Sequence, residues 1–297
     1  MTSRQHAGEN WRELGTLPIW RFMNRSLIYF AVLFISILFM GPFLYTISSS
    51  LKHPTELYIF PPQWLPAEPQ WDNWPQVFRQ VPFATYIYNS VFVTGLALIG
   101  QVTSATLVAY GFARFRFPGR DVLFLLVLST MMLPFQVTLI PQFLIFRELG
   151  WLNTYRPLII PSFFGGGPFF IFLLRQFFLT IPIDLDESAR IDGAGSLRTL
   201  VSILLPLCGP ALGTVAIFSF LANWNSFLLP LIYLNTMSKY TLPLGLRHFQ
   251  LVAETGGDPR EHLLMAASLM VTIPSIVLFF SMQRYFVQGI TLTGLKG

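Results

Sequence analysis

Charged residues are scarce in this sequence, and six long intervals contain no Asp, Glu, Lys, Arg or His at all. Charged side chains make up 11% of the 297 residues, whereas a soluble globular domain typically carries about 25%. Each interval can hold one α-helix that crosses the hydrocarbon layer of a bilayer, which takes roughly 17–25 apolar residues. The composition therefore excludes a soluble domain and predicts an all-α membrane protein with six transmembrane helices. The intervals are 26–51, 80–113, 122–146, 157–174, 199–238 and 263–283.

The lack of ionisable groups in these intervals excludes several kinds of chemistry. Proton-driven carriers and intramembrane acid–base enzymes place such groups at membrane depth. The sequence also has no Gly-x-x-x-x-Gly-Lys-Ser/Thr loop for a nucleotide, no His-Glu-x-x-His and no Cys-x-x-Cys. The single cysteine, Cys208, cannot form an internal disulfide, and we expect it to be a packed thiol at the end of a span. We expect no catalytic residue and no metal site in this chain.

Positive charges are distributed unevenly between the two ends of the predicted spans. With the N-terminus in the cytoplasm, 12 Lys and Arg residues lie on the cytoplasmic side and 7 on the outer side. Cytoplasmic loops of membrane proteins are enriched in Lys and Arg, so both termini are predicted to be cytoplasmic. We expect an N-terminal tail of 1–26 without a cleavable signal, a membrane domain of 27–287 and a C-terminal tail of 288–297. The net charge of +5 then reflects topology, and we expect no nucleic acid partner.

One predicted cytoplasmic loop mixes charge, small residues and helix punctuation. Asp184, followed three residues later by Glu187, is typical of a helix N-cap. Gly193 and Gly195 predict the end of that helix, because glycine adopts the left-handed conformation without a steric penalty. Ser196 predicts the cap of a second helix. On these residues alone, an ordinary polar loop between two spans is an equal alternative.

The sequence of this loop resembles a known motif. Residues 187–194 read Glu-Ser-Ala-Arg-Ile-Asp-Gly-Ala, and residues 203–206 read Ile-Leu-Leu-Pro. This resembles the EAA loop of the permease subunits of binding-protein-dependent ABC importers, in which Glu-Ala-Ala, two residues and Asp-Gly-Ala precede Ile-x-Leu-Pro. The chain departs from the pattern at Ser188, and it has Leu200 where an aromatic residue is common.

Other segments extend the resemblance over essentially the whole chain. The ending, with Gln283-Arg284, Gly289-Ile290-Thr291 and Leu295-Lys296-Gly297, is similar to that of the carbohydrate-uptake (MalG-type) subgroup. Ser50-Leu51-Lys52 and Gly111-Phe112-Ala113-Arg114-Phe115 also match the family. The resemblance implies the type I ABC importer permease fold and a location in the cytoplasmic membrane as a multi-pass protein.

The resemblance also implies partners and roles. The loop 180–206 would hold a cytoplasmic coupling helix that sits in a cleft of a separate ATP-hydrolysing subunit. The partners implied are a second permease subunit that completes a heterodimer, two ATP-binding subunits that hold ATP and Mg²⁺, and an external solute-binding protein. The chain itself would need no cofactor. Glu187 would make the charged contact with the ATPase, Ser188 and Ala189 would lie against it, and Gly193 would set the turn. The coupling residues implied are Asp186, Glu187, Ser188, Ala189, Arg190, Asp192, Gly193 and Ala194.

A polar stretch near the middle of the fifth predicted span, about 210–234, is a candidate part of the substrate path. It consists of Asn223, Trp224, Asn225 and Ser226. Buried amides need partners, either on another helix or in a wet cavity. Amides beside an indole ring also suit a sugar, whose hydroxyls bond the amides while its C–H face stacks on the ring. Interhelical hydrogen bonding and a sugar path are both open alternatives.

Two interruptions of the spans have the same ambiguity. Pro134 and Pro141 predict a kink in the third span, either as a structural bend without a role in gating or as a moving hinge. Gly165, Gly166 and Gly167 interrupt the fourth span, either as a break that lines a substrate path or as a close-packing site.

Two predicted outer segments complete the chain. The segment after Lys52 is dense in proline and tryptophan, which predicts an ordered cap at the outer surface. The loop 235–262 is polar enough to face a soluble partner. The residues that make the loop 235–262 polar are Glu254, Gly256, Gly257, Asp258, Arg260 and Glu261.

The predicted function is thus a permease subunit of an ATP-driven importer for a sugar or oligosaccharide. A polyol or glycerol phosphate derivative is the second candidate cargo, and a secondary carrier or channel is the rival class.

Overall fold

The computed structural model describes residues 18–254 and 260–294, and the side chains of 25–250 and 260–283. Every regular element in that part of the chain is helical. The α-helices are α1 (Pro18–Ser50), α2 (Asn73–Gln80), α3 (Phe83–Arg114), α4 (Arg120–Ser129), α5 (Phe135–Glu148), α6 (Arg156–Ile159), α7 (Pro168–Thr180), α8 (Asp184–Ile191), α9 (Ser196–Thr199), α10 (Leu205–Leu207), α11 (Gly209–Trp224), α12 (Leu228–Tyr233), α13 (Leu242–Glu254) and α14 (Glu261–Gly294). Short 3₁₀ segments cover Pro54–Tyr58, Thr130–Met132, Ile160–Phe163 and Met237–Lys239, and a π-type segment, Leu200–Leu204, joins α9 to α10.

The described helices provide four to six candidate spans. Four segments are each long and apolar enough to cross a membrane. Two further candidates are pairs of helices bent by 99° and by 85°. The first bend lies at Pro134, because proline cannot continue the backbone hydrogen bonding of a helix. The helical membrane fold is confirmed, whereas the count of six and the cytoplasmic termini stay predictions. The four segments are Arg25–Ser50, Phe83–Arg114, Arg156–Thr180 and Glu261–Gln283, and the bent pairs are Arg120–Met132 with Phe135–Glu148 and Ser196–Leu207 with Gly209–Trp224.

Helix α3 is the central helix of the described bundle. α7 and α11 pack directly on it, α14 packs on α11, and α1 packs on α14. Its buried positions include many small residues, which allow other backbones to approach closely where lipid provides no hydrophobic driving force. At Gly100, an added Cβ would lie 2.6 Å from the ring of Phe163.

The three consecutive glycines form the break before α7. Gly165, Gly166 and Gly167 have φ angles of 92°, 59° and 95°, a region that side chains disfavour. A Cβ at Gly166 would lie 2.5 Å from the carbonyl oxygen of Gln101 on α3. The break is therefore a close-packing site, one of the two interpretations that the sequence left open.

The segment that follows α1 is an ordered cap, as predicted, and polar bonds hold it in place. The Asn73 side chain donates to the carbonyl oxygens of Ser50 and Lys52, both at 3.0 Å. Lys52 is fully buried, and its Nζ donates to the carbonyl oxygen of Gln63 at 2.5 Å. The same ammonium lies 4.6 Å from the ring centroid of Tyr45. Trp64 and Trp71 are 64% and 71% exposed.

We expect Asn73→Ala to loosen this cap. The substitution leaves two buried carbonyl groups without their donor, which costs about 2 kcal/mol. This cost corresponds to a rise of about thirtyfold in the rate of amide hydrogen exchange. Hydrogen exchange of the segment 53–82 measures this effect. Gln80→Ala, at an exposed position of the same helix, is the control and should leave the rate unchanged. Equal protection in the two variants would contradict the tether.

The ends of the chain and the second outer loop differ in part from expectation. α1 begins at Pro18, and α14 continues to Gly294, so helices extend past the predicted tail boundaries at 26 and 287. The remaining parts of the predicted tails, 1–17 and 295–297, lie outside the described residues, as do Gly256, Gly257 and Asp258. The second outer loop contains a helix, α13, that the sequence did not predict. Cys208 is buried, as expected.

Candidate functional site

The predicted coupling loop is a helix, a glycine turn and a second helix. α8 has Ile183 as its N-cap and no side-chain capping bond. The prediction that Asp184 caps the helix is therefore wrong, because Asp184 is already the first helical residue. Three acidic residues in the first turn, Asp184, Asp186 and Glu187, stabilise the positive end of the helix dipole instead.

Gly193 ends the helix in the predicted manner. Its φ is +76°, its N–H donates to the carbonyl oxygen of Arg190 at 3.1 Å, and the N–H of Ala194 donates to that of Ala189 at 2.8 Å. These two bonds form a Schellman motif, which satisfies carbonyl groups at a helix C-terminus. Gly195 has φ −73° and is the N-cap of α9. Its predicted role as a left-handed stop is wrong, as is the prediction that Ser196 is the cap, because Ser196 begins the helix.

A buried ion pair fastens α8 to the bundle. The Nε of Arg114, at the end of α3, lies 3.1 Å from Oδ2 of Asp186, and the two side chains are 6% and 12% exposed. Arg114 also donates to the carbonyl oxygen of Ile181 at 3.0 Å. Nearby, the Tyr110 hydroxyl donates to the carbonyl oxygen of Ser196 at 3.1 Å. Helix α3 therefore holds the segment before α8, α8 itself and the start of α9.

Arg114 and Tyr110 were not among the predicted site residues. Arg114 does occur in the Gly-Phe-Ala-Arg-Phe run that matches the family. A cation in the last turn of a long apolar helix could also have drawn attention to it, since it suits the negative end of that helix.

The outward face of α8 carries both charge and apolar surface. Glu187 and Ser188 are exposed, and Ile191 is 87% exposed. Leu197 on α9 extends this face and is 66% exposed. Ile191 was not among the predicted coupling residues. We call Glu187, Ser188, Ile191 and Leu197 the docking face.

Ala189 does not belong to the docking face. It is only 3% exposed, so the prediction that it lies against a partner is wrong for this structure. Ala189 follows Asp186 by three residues and therefore shares its side of the helix. Because Asp186 is drawn to Arg114, that side faces the bundle. The other predicted coupling residues Arg190, Asp192 and Gly193 are exposed, and Ala194 is half-buried.

The tryptophan of the predicted substrate path is part of the packed interior. Trp224 is the last residue of α11 and is 3% exposed. Its Nε1 donates to the carbonyl oxygen of Val271 on α14 at 3.0 Å, and its ring stacks on that of Phe220 at 5.4 Å. The prediction of an indole that faces a sugar is therefore wrong, and interhelical bonding explains this residue.

Asn223 joins a polar cluster between α3 and α11. Its Nδ2 lies 2.8 Å from the carbonyl oxygen of Ser219 and 3.4 Å from Oε1 of Gln101. The Ser219 hydroxyl donates to the same Oε1 at 2.7 Å. Gln101 was missed, although an amide near the middle of a long apolar span is itself a signal. A Cβ on Gly167 would lie 3.5 Å from Nε2 of Gln101, so the cluster adjoins the glycine break.

Helix α11 ends within the predicted polar stretch. Asn225 is exposed and donates to the carbonyl oxygen of Leu221 at 2.9 Å, while Ser226 is half-buried. The chain then resumes as α12. The structure thus brings the Asn223 side chain together with Gln101 and Ser219. The side chain of the next residue, Trp224, packs instead against α14.

Comparison with known proteins identifies the family. The model of the family described as "Binding-protein-dependent transport system inner membrane component" matches residues 101–292. The arabinooligosaccharides transport system permease protein AraQ of Halalkalibacterium halodurans is 35% identical over 89% of this chain and 94% of its own length. The trehalose/maltose transport system permease protein MalG of Thermococcus litoralis is 37% identical over 72% of this chain and 76% of its own length. The sn-glycerol-3-phosphate transport system permease protein UgpE of Yersinia enterocolitica is 31% identical over 80% and 85%.

Solved structures agree with this assignment. A chain of a bacterial ABC transporter involved in the import of the acidic polysaccharide alginate has a TM-score of 0.77 and 25% identity, over 90% of this chain and 96% of that one. The bacterial alginate ABC transporter in complex with an alginate pentasaccharide-bound periplasmic protein shares the fold, with a TM-score of 0.62 and 19% identity over 88% and 94% of the two chains. The fold is therefore that of an ABC importer permease. The chain belongs to the family of inner membrane components of binding-protein-dependent transport systems.

Proposed function

We propose that this chain is a permease subunit of an ATP-driven importer for a sugar or oligosaccharide. It would form half of the translocation path beside a second permease subunit, as a heterodimer in the cytoplasmic membrane. The observation that carries this proposal is the docking face of α8, which stands free while Arg114 and Asp186 fasten the helix to the bundle. The relatives named for arabinooligosaccharides and for trehalose and maltose support the class of cargo.

The attachment of α8 to the bundle suggests how ATP hydrolysis could be coupled to transport. A separate ATP-binding subunit, which would hold the ATP and Mg²⁺, can change the permease only if it contacts the docking face differently in its two states. Movement of α8 would be passed to α3 through the ion pair, while the Tyr110 bond holds the start of α9 to the same helix. Two ATP-binding subunits would act in this way, one on each permease subunit, as rigid bodies.

The polar cluster supports an uncharged cargo. Gln101, Ser219 and Asn223 offer amide and hydroxyl groups beside the glycine break, and none of them carries a charge. Hydroxyl groups of a sugar can exchange hydrogen bonds with such groups. Within this proposal the path residues are Asn223, Asn225 and Ser226, with Gln101 added and Trp224 in a supporting position.

A glycerol phosphate derivative is the second candidate cargo. The relative named for sn-glycerol-3-phosphate, 31% identical, favours it. An anion would need cations, which the charge-free intervals of this chain lack in sequence, so Arg147, Arg156 or the second permease subunit would supply them. At the outer side, we propose that an external solute-binding protein docks on the cap and on the loop that holds α13. The neighbour solved with a periplasmic protein supports this partner.

Uptake into proteoliposomes tests the proposal. The chain is reconstituted with its partner subunits and supplied with candidate binding proteins and labelled oligosaccharides. We expect uptake that requires both internal ATP and the binding protein and that is unaffected by an ion gradient. Uptake driven by an ion gradient without ATP would instead establish the rival class, a secondary carrier.

We expect Gln101→Leu to reduce sugar uptake. The change removes the acceptor shared by Ser219 and Asn223, and leaving such groups unpaired costs roughly 1–3 kcal/mol, or about fivefold in rate at the lower end. Uptake at subsaturating sugar measures the effect, with ATP hydrolysis in the absence of binding protein as the check that coupling subunits are still bound. Thr103→Val, at an exposed position of the same helix, is the control. Normal uptake by Gln101→Leu would remove the cluster from the path.

A further inference from the structure

An arginine cluster lies where α3 is followed by α4, separate from the docking face. Arg116 and Arg120 border an open cavity of about 380 Å³ at this corner. Arg120 is partly buried, with a side chain that is 28% exposed, and Arg116 is exposed. The cavity is lined by Arg116, Phe117, Gly119, Arg120, Asp121 and Val122.

Positive charge exceeds negative charge at this corner. Nε of Arg120 lies 2.9 Å from Oδ1 of Asp121, whereas Arg116 makes no ion pair with any residue in the described part of the chain. A third guanidinium, Arg175 of α7, stands 4.1 Å from the ring centroid of Phe124. Phe124 follows Asp121 by three residues, so Arg175 borders the same side of α4. Three cations therefore lie at this corner, and Asp121 pairs with only one of them.

The cluster adjoins a surface that suits acyl chains. The exposed residues of α4 just beyond the cavity are aliphatic, with Val122, Leu125 and Leu126 exposed by 64%, 66% and 57%. They belong to Arg120–Met132, the first helix of the bent pair that is a candidate membrane span together with Phe135–Glu148. A cationic group at the end of an apolar span is the arrangement that binds anionic lipid headgroups at the membrane boundary.

We propose that Arg116 and Arg120, with Arg175 beside them, bind the phosphodiester headgroup of an anionic phospholipid. Guanidinium groups match phosphate oxygens in charge and in their forked geometry. The acyl chains of that lipid would lie along Val122 and Leu125. This inference does not depend on the cargo or on the coupling role of α8. A protein partner fits less well, because the aliphatic neighbours of the cluster lie on a span and not on a loop.

Native mass spectrometry of the full chain, released from nanodiscs with and without phosphatidylglycerol, tests the proposal. We expect wild type to retain phosphatidylglycerol in preference to phosphatidylcholine. The double variant Arg116→Gln, Arg120→Gln should bind it about 25-fold more weakly, at about fivefold for each arginine near a membrane surface. Arg175 is left unchanged, because its Nε donates to the carbonyl oxygen of Phe112 at 3.4 Å and it has a packing role.

Two controls separate charge from structure. Arg147→Gln removes an exposed arginine that pairs with its neighbour Glu148 at 3.0 Å, as Arg120 does with Asp121. This variant should bind phosphatidylglycerol like wild type. The double variant Arg116→Lys, Arg120→Lys keeps both charges and should stay within about fivefold of wild type, which would show that the fold tolerates change at these positions.

The possible results distinguish the sources of the phosphate group. Binding of phosphatidylglycerol that resists an excess of free glycerol 3-phosphate supports the lipid site. Equal competition by free glycerol 3-phosphate would overturn it in favour of a site for a soluble phosphate. Unchanged lipid binding in the double glutamine variant would also overturn it. Loss of a co-purified ATP-binding subunit in that variant, with lipid binding intact, would identify the cluster as a protein interface and overturn it as well.

Discussion

Replacing Glu187 with lysine and Gly193 with valine is expected to reduce uptake by more than about a hundredfold and to leave the chain in the membrane. Glu187→Lys reverses the charge at the centre of the docking face, where a like charge on a partner would cost several kcal/mol. Gly193 has φ +76°, and a β-branched residue there is a genuine outlier that distorts the turn. The two changes together remove the charge and the geometry that a partner would recognise.

The measurement is uptake in proteoliposomes together with the amount of inserted chain. The spans are untouched by both substitutions, so insertion should equal that of wild type. Glu148→Lys is the matched control, since it makes the same charge change at an exposed residue, 74% accessible, at the end of α5. Its effect should be small, because exposed ion pairs contribute about 0–1 kcal/mol. Normal uptake by the Glu187 and Gly193 variant would remove α8 from the coupling mechanism.

Asp186→Asn is expected to abolish coupling through a different route. The asparagine has the same shape, but it leaves Arg114 buried without a counter-charge. Removing one partner of a buried ion pair costs about 3–5 kcal/mol. This cost exceeds the stabilisation that the other local contacts of α8 provide. We expect α8 to detach from α3 and uptake to fall by more than about a hundredfold. The residues of the docking face are unchanged in this variant.

A charge-free replacement distinguishes positioning from a direct role for the aspartate. Arg114→Met combined with Asp186→Leu leaves no unpaired charge, and such replacements of buried pairs are often neutral. The double variant should therefore recover much of the uptake that either single change loses. Asp72→Asn is the control, because the pair of Asp72 with Arg79 is 68% and 67% exposed. If Asp186→Asn transported at the wild-type rate, the ion pair would not transmit the movement.

Local signals in the sequence were sufficient for the parts of the site that depend on neighbouring residues. Gly193 predicts the helix end because its conformational freedom is a property of one residue. Pro134 predicts a bend for the same kind of reason. The absence of charge from long intervals predicts a helical membrane protein, because a bilayer excludes unpaired charges and open strands.

Contacts between distant residues could not be predicted in this way. Ala189 is buried because Asp186 pairs with Arg114, which lies in another helix. Trp224 is buried because its indole donates to Val271 on α14. Neither Arg114 nor Val271 is marked as a partner by spacing or periodicity. Sequence reasoning therefore gave Ala189 and Trp224 functional roles, whereas both residues are packed in the interior.

Lys52 shows the same limit at the end of α1. A lysine just after a span is usually read as a solvated topology signal. Here its ammonium is enclosed by the Gln63 carbonyl and the Tyr45 ring, and Asn73 bonds the neighbouring backbone. The cap can form only because several polar groups meet at once, which no single residue reveals.

ATP hydrolysis by the purified complex is the most direct test of the central claim. The chain is co-expressed with its partner subunits, and hydrolysis is measured with a panel of binding proteins, each with and without its sugar. We predict that one liganded binding protein stimulates hydrolysis and that Asp186→Asn removes the stimulation while basal hydrolysis persists. Failure of any ATP-binding subunit to co-purify, together with uptake that follows an ion gradient, would contradict the account.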